Sequence, residues 1–163
     1  MSLGGKSYIL TFIDDKSRRA WCFPISHKSE TLKIFKYWKR EAEKQTGKTV
    51  KILRSDNGGE YSSNEFQDYL KEEGIIHQTT VPYTPQQNGV AERFNRTIME
   101  MVRTMLLASG MPKSFWGEAL LAATHIRNWS PTTGTSEKKT PYEIFYGNQV
   151  WNTYGFGAVK FKC

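Results

Sequence analysis

Residues 52–61 read ILRSDNGGEY, an apolar run that stops at an acid, Asp56, and passes into a turn bearing two glycines. Thr49 to Leu53, at the start of this stretch, has the β-branched and apolar make-up of a short strand. Asp56 therefore falls just beyond a strand. Two readings fit it. Asp and Asn side chains bond their own backbone and Gly supplies positive φ, so the acid can simply begin a turn; or a strand terminus presents it as a ligand. The rest of the chain separates the two.

Upstream, Ser7–Ile13 (SYILTFI) and Ala20–Ile25 (AWCFPI) read as strands joined by the turn DDKSR, a hairpin. Ser29–Thr46 carries Leu32, Ile34, Phe35, Trp38 and Ala42 at helical spacing and stops at Gly47. Downstream, Asn64–Glu73 reads as a helix capped by Asn64 and closed by Gly74, and Ile75–Val81 as a further strand. Strands interleaved with helices predict an α/β sheet.

The segment 82–89, PYTPQQNG, reads as an irregular, mobile loop because of its prolines and glycine. A long helix follows from Asn88 to about Ser109, with Val90, Phe94, Ile98, Met101, Val102 and Met105 along one stripe. Phe115–Trp129 and Tyr142–Tyr146 complete the predicted helices, the last introduced by Thr140 and Pro141.

A chain of 163 residues suits one domain with its own core. Its net charge of +7 favours polyanionic partners, nucleic acid above all, though a soluble basic protein would show the same excess. Cys22 and Cys163 exclude a disulfide framework, and no Cys or His pair has zinc-ligand spacing, so His27, His77 and His125 read as surface or packing residues. The first apolar run is too short for a membrane span or a secretory leader. An intracellular chain with no membrane partner is expected.

Glu92 opens the long helix. At 100° per residue, positions 92, 96, 99 and 103 share a face opposite the apolar stripe, so Glu92, Arg96 and Arg103 lie together. A solvated charged face has the same pattern. Lys33, Lys36, Lys39, Arg40 and Lys44 on the earlier helix also read as a solvated face, and Trp116 and Trp129 as core or subunit-contact residues.

FIDDKSRRAW, LRSDNGGEY, VPYTPQQNGVAERFNRTI, FWGEAL and TPYE, in this order, resemble the DDE integrase core of copia-type LTR retrotransposon polyproteins. The resemblance runs to about Gly147 and implies a ribonuclease H-like mixed sheet flanked by helices over residues 1–147, with 148–163 a C-terminal extension. It also implies that Asp56 and Glu92 are catalytic metal ligands, that the cofactor is Mg²⁺ or Mn²⁺, and that the partner is DNA. Two-ion displacement needs hard oxygen donors, which carboxylates supply. Gln86, Gln87, Asn88, Arg93, Arg96 and Arg103 are then the expected DNA contacts, from loop and helix.

Family sites use a third acid on a strand ahead of the hairpin, in a stretch like S-D-x-x-G-P. This chain starts after that point, so most of the first strand and one catalytic Asp are expected to be missing. The fragment alone is then expected to be inactive, binding at most one ion weakly. Asp14 and Asp15 read as hairpin-turn residues and not as replacements. The complete protein is expected to be a nuclear homo-oligomer that processes DNA 3′ ends and joins them to target DNA. The alternatives are a non-catalytic remnant or domesticated DNA-binding module and, further off, a generic ribonuclease H-type nuclease.

Overall fold

The computed structural model describes residues 1–56, 58–79, 85–132 and 139–147, and within 85–88 the backbone alone. The extension 148–163, with Cys163, lies outside the described residues. Strands β1 (Tyr8–Ile13) and β2 (Ala20–Ile25) form the expected antiparallel hairpin, in register from Tyr8 opposite Ile25 to Ile13 opposite Ala20. Asp14 builds its turn. One carboxylate oxygen accepts from the Ser17 N–H at 2.8 Å and from the Ser17 hydroxyl at 2.7 Å, the local bonding that favours Asp in turns.

The other two strands, β3 (Ile52–Ser55) and β4 (Ile76–Thr79), pair in parallel. The strand starts later than the sequence predicts, because Val50 is held from the side. The Val50 N–H donates to Glu43 at 2.8 Å; the Lys51 carbonyl accepts from the Ile76 N–H at 2.9 Å, and the paired register with β4 runs from Ile52. Among the described residues β1 bonds only to β2 and β3 only to β4, so the sheet is two separate ladders. A cleft of about 700 Å³, lined by every residue of β1 and β3, lies between them.

Among the described residues six α-helices surround the strands: α1 (Thr31–Thr46), α2 (Gly59–Ser62), α3 (Asn64–Glu72), α4 (Pro85–Ser109), α5 (Trp116–Trp129) and α6 (Pro141–Tyr146). The short α2 has no periodic signal in the sequence. The cap of α3 is Ser63 and not Asn64, since the Ser63 hydroxyl accepts from the Phe66 N–H. The expected loop over 82–89 is corrected in part: residues 85–89 are helical and 82–84 lie outside the described residues. Pro85 is no obstacle there, because the first turn of a helix has no partner for the N–H that proline lacks. The last helix is capped as its sequence predicts, with Thr140 and Glu143 forming a reciprocal capping box.

The hairpin packs on both faces, as period-two alternation requires. Leu10, Phe12 and Ile25 join Phe35 of α1, Leu53 of β3, and Phe66 and Leu70 of α3 in one core. Cys22 turns the other way, to Ile98 and Val102 of α4 and Leu120 and Ala123 of α5. Asn128 locks this second layer to the strand. Its amide oxygen accepts from the Ala20 N–H at 2.9 Å and its amide nitrogen donates to the Ala20 carbonyl at 2.8 Å, both buried. Trp116 packs against the second core, whereas Trp129 is exposed and stacks on Tyr142. At the far edge, Arg19 lies 4.2–5.0 Å from the rings of Trp21, Tyr142, Phe145 and Tyr146, tying α6 to the hairpin through cation–π contacts.

One expected surface residue is not on the surface. Lys39 is buried, its ammonium 2.9 Å from Glu43 and 2.8 Å from Glu73. Burial alone would depress its pKa, but the hydrogen bonds to Glu73 and Glu43 override that and hold it above the ordinary value. Lys33, Lys36, Arg40 and Lys44 are exposed as expected.

Candidate active site

The strand β3 delivers Asp56 to the mouth of the cleft, and the residues after it bend back on themselves. Its Oδ1 accepts from the Gly58 N–H at 3.1 Å, leaving Oδ2 free of any protein bond among the described residues. A Cβ on Gly58 would sit 2.9 Å from the Glu60 carboxylate and 3.0 Å from Asp56 Oδ1. The turn thus brings two carboxylates to the same side, and its glycine is the space they share. Glu60 also reaches Lys28 at 3.5 Å. Behind them the Tyr61 hydroxyl is pushed up to about 12, first by burial and then by the charges of Asp56 and Glu60.

A hydrogen-bonded chain supports this strand end from the β4 side. Gln67 of α3 donates from its amide nitrogen to the Tyr61 carbonyl at 2.6 Å, and the same nitrogen lies 2.8 Å from His77 Nδ1. His77 Nε2 is 2.9 Å from the Ser55 hydroxyl, which donates to the Asp56 carbonyl at 2.8 Å. Burial holds the His77 imidazole below its ordinary pKa, favouring the neutral ring.

The opposite wall is the N-terminal half of α4, which begins at Pro85, so Glu92 lies about two turns inside the helix and does not open it as the sequence suggested. Val90, Ala91 and Asn95 line the cleft together with Asp56, and Asn95 accepts from the Thr11 hydroxyl of β1 at 3.2 Å. Glu92 is exposed and is not itself part of the cleft wall. At 100° per residue it lies about 60° around the helix from Asn95 and one turn nearer the N-terminus, on the rim. So the strand end bearing Asp56 and the turns flanking Glu92 meet at one cleft. Among the described residues no three His, Cys, Asp or Glu side chains converge as a metal centre. The donors are hard oxygens of the right chemistry for Mg²⁺ or Mn²⁺, but they do not make up a two-ion set.

The other predicted contacts are distributed as follows. Arg93, Arg96 and Arg103 are exposed along α4, and the Arg93 guanidinium folds back until Nη1 is 2.9 Å from where a Gly89 Cβ would be. The side chains of Gln86, Gln87 and Asn88 lie outside the described residues. Sequence reasoning passed over Glu60, Asn95 and His77. Glu60 had a signal in the Gly-Gly pair that allows its carboxylate to return toward Asp56, and Asn95 one in its spacing from Glu92. His77 had none, because its partners come from three separate elements.

Residues 1–85 match the integrase core domain family. The retrovirus-related Pol polyprotein from transposon TNT 1-94 of Nicotiana tabacum is 51% identical over 131 residues, 80% of this chain and 10% of that protein. The corresponding polyprotein from transposon RE2 of Arabidopsis thaliana is 33% identical over 147 residues, 90% of this chain and 10% of that one. The chain therefore spans about a tenth of the length of these curated relatives. Among solved structures, the HTLV-2 integrase catalytic core domain in complex with magnesium superimposes with a TM-score of 0.64 at 23% identity, covering 84% of this chain and 83% of that one. A simian T-cell lymphotropic virus intasome chain gives 0.66 at 22% identity over 88% of this chain and 54% of its own. The ribonuclease H-like fold expected from the motifs is the one observed, and the chain belongs to the integrase core domain family, as the integrase catalytic core of LTR-retrotransposon Pol polyproteins.

Proposed function

We propose that this chain is the catalytic-core portion of a copia-type integrase, which processes DNA 3′ ends and transfers them to target DNA using Mg²⁺ or Mn²⁺. The observation that carries the reading is the meeting of the Asp56 strand end with the opening turns of α4 at a single cleft. Asp56 and Glu92 would hold the cation from opposite walls, Asp56 fixed by the ladder and Glu92 from the helix rim. A bound pair of divalent ions supplies activation of the attacking oxygen and stabilisation of the leaving one. Asp56 Oδ1 is engaged by the Gly58 N–H, so Oδ2 is the atom offered to a cation. The exposed Arg93, Arg96 and Arg103, with Gln86, Gln87 and Asn88 preceding them, would position DNA through its phosphates without reading sequence.

This portion is proposed to be inactive by itself, since two carboxylates leave a two-ion site short of a bridging ligand. The test is a strand-transfer assay with Mn²⁺ on the 163-residue chain and on the chain extended upstream by the corresponding segment of the TNT 1-94 polyprotein. Activity is expected only from the extended form, with Asp56→Asn and Glu92→Gln each abolishing it; robust activity of the unextended chain, or of Asp56→Asn, would overturn the assignment. The extended chain should also melt higher, because an added strand would occupy the open edges of β1 and β3. Exposed Leu107, Met111 and Leu121 on α4, α5 and their connection support a homo-oligomer, and nuclear action follows from a chromosomal DNA substrate. The competing reading, a non-catalytic DNA-binding module, predicts DNA retention with no joining activity even after extension.

A further inference from the structure

We infer that His77 is a positioning residue, acting through Ser55 to set the direction in which Asp56 presents its carboxylate. The inference rests on the proposal that Asp56 is a metal ligand. Proton assignment along the chain follows from chemistry. The Tyr61 carbonyl can only accept, so the Gln67 atom 2.6 Å from it is the NH₂ group. That same group faces His77 Nδ1 at 2.8 Å, which makes Nδ1 an acceptor and leaves the ring proton on Nε2. Nε2–H then donates to the Ser55 oxygen, and the Ser55 hydroxyl, its lone pair occupied, turns its own proton to the Asp56 carbonyl. All donors run one way, from Gln67 to the backbone of Asp56.

The need for such a chain lies in how little else fixes this strand end. Asp56 is exposed, it is one residue past the last paired position of β3, and among the described residues its carboxylate has a single partner, the Gly58 N–H. The hydrogen bond on its carbonyl fixes the peptide plane from which the side chain springs. Outer partners of this type are known to orient metal-binding groups and to tune their affinity. His77 differs from an ordinary ladder residue because its bonds run sideways, to α3 and to the side chain of Ser55, and not along the sheet.

The two ring nitrogens can be tested separately. Gln reproduces a donor at the Nε2 position, whereas Asn reproduces the Nδ1 position and is too short to reach Ser55. In the metal-free chain, His77→Asn and Ser55→Ala are expected to speed hydrogen exchange of the Gly58 amide by about tenfold, while the Leu53 amide within the ladder keeps its rate. His77→Gln should restore the Gly58 rate. In the upstream-extended integrase the same two variants should raise the Mg²⁺ concentration for half-maximal strand transfer by about tenfold, with His77→Gln again near wild type. Equal behaviour of His77→Asn and His77→Gln, or Leu53 exchange rising in step with Gly58, would reduce His77 to a structural residue and overturn the inference. Asp56→Asn separates the two levels: if it keeps metal-dependent joining, the ligand assignment itself fails and the positioning role goes with it, whereas unchanged His77 variants beside a dead Asp56→Asn overturn the positioning role alone.

Discussion

The two ladders of this fold are held by different physics. The β1–β2 hairpin pairs six residues, buries side chains on both faces and is bracketed by the buried amide of Asn128. The β3–β4 ladder pairs four residues, of which only Leu53 is buried. Ile52 and Ile76 stand exposed on it. The hairpin is secured by area removed from water, and the ladder bearing Asp56 mostly by directional bonds from side chains. The site proposed to admit DNA sits on the less buried half, where local opening costs least.

Four measurements would break or sharpen this contrast. The largest effect is expected from Leu120→Ala, which empties a fully buried position against the hairpin and should cost about 3–4 kcal/mol in denaturant unfolding. Asn128→Ala leaves the buried Ala20 N–H and carbonyl without a partner and should cost about 2 kcal/mol; a loss under about 0.5 kcal/mol would show that the bracket does not secure the layer. Lys39→Met removes the shared partner of Glu43 and Glu73, with an expected loss of about 1 kcal/mol near neutral pH, since both acids keep some solvent. Ile76→Thr, on the exposed ladder, should change stability by less than about 0.5 kcal/mol, and a larger loss would mean that this ladder is packed after all.

The Lys39 variant also carries a pH signature. Burial alone would raise the Glu43 pKa, but the Lys39 ammonium and the Val50 N–H outweigh it and hold the carboxyl below the ordinary 4.5. A depressed folded value stabilises the protein above the unfolded pKa, and that stability is lost as pH falls through the folded one. Unfolding midpoints scanned downward from pH 6 should therefore fall more steeply for the wild type than for Lys39→Met below about pH 4.5. Parallel curves would show that Lys39 does not carry the shift.

What could be read from the sequence divides along the same line. The hairpin, the amphipathic stripe of α4 and the Thr140–Pro141 cap were legible because periodicity and capping are local properties. Asp56 stood out as part of a motif, whereas the true start of α4 at Pro85 did not. The later start of β3 was not legible either, since Val50 bonds to Glu43 of α1 instead of to β4. The burial of Lys39 depends on Glu73 at the end of α3, beyond any helix-face pattern. Proline in 82–89 argued for a loop, yet Pro85 stands in a first turn where it disrupts nothing. Residues whose role is set by partners distant in sequence, such as His77, leave no trace in spacing.

The cleft between β1 and β3 has a consequence for how it can be filled. A segment bonded to one rim alone would leave its other row of main-chain groups unpaired within the gap, so partial entry gains little and full entry gains both rows together. Filling is then cooperative, closer to a latch closing than to gradual adsorption. The same exposed rows can zip against a second copy, so completing the sheet and clumping compete for identical hydrogen bonds, and dilution favours the former whenever the completing strand is covalently attached.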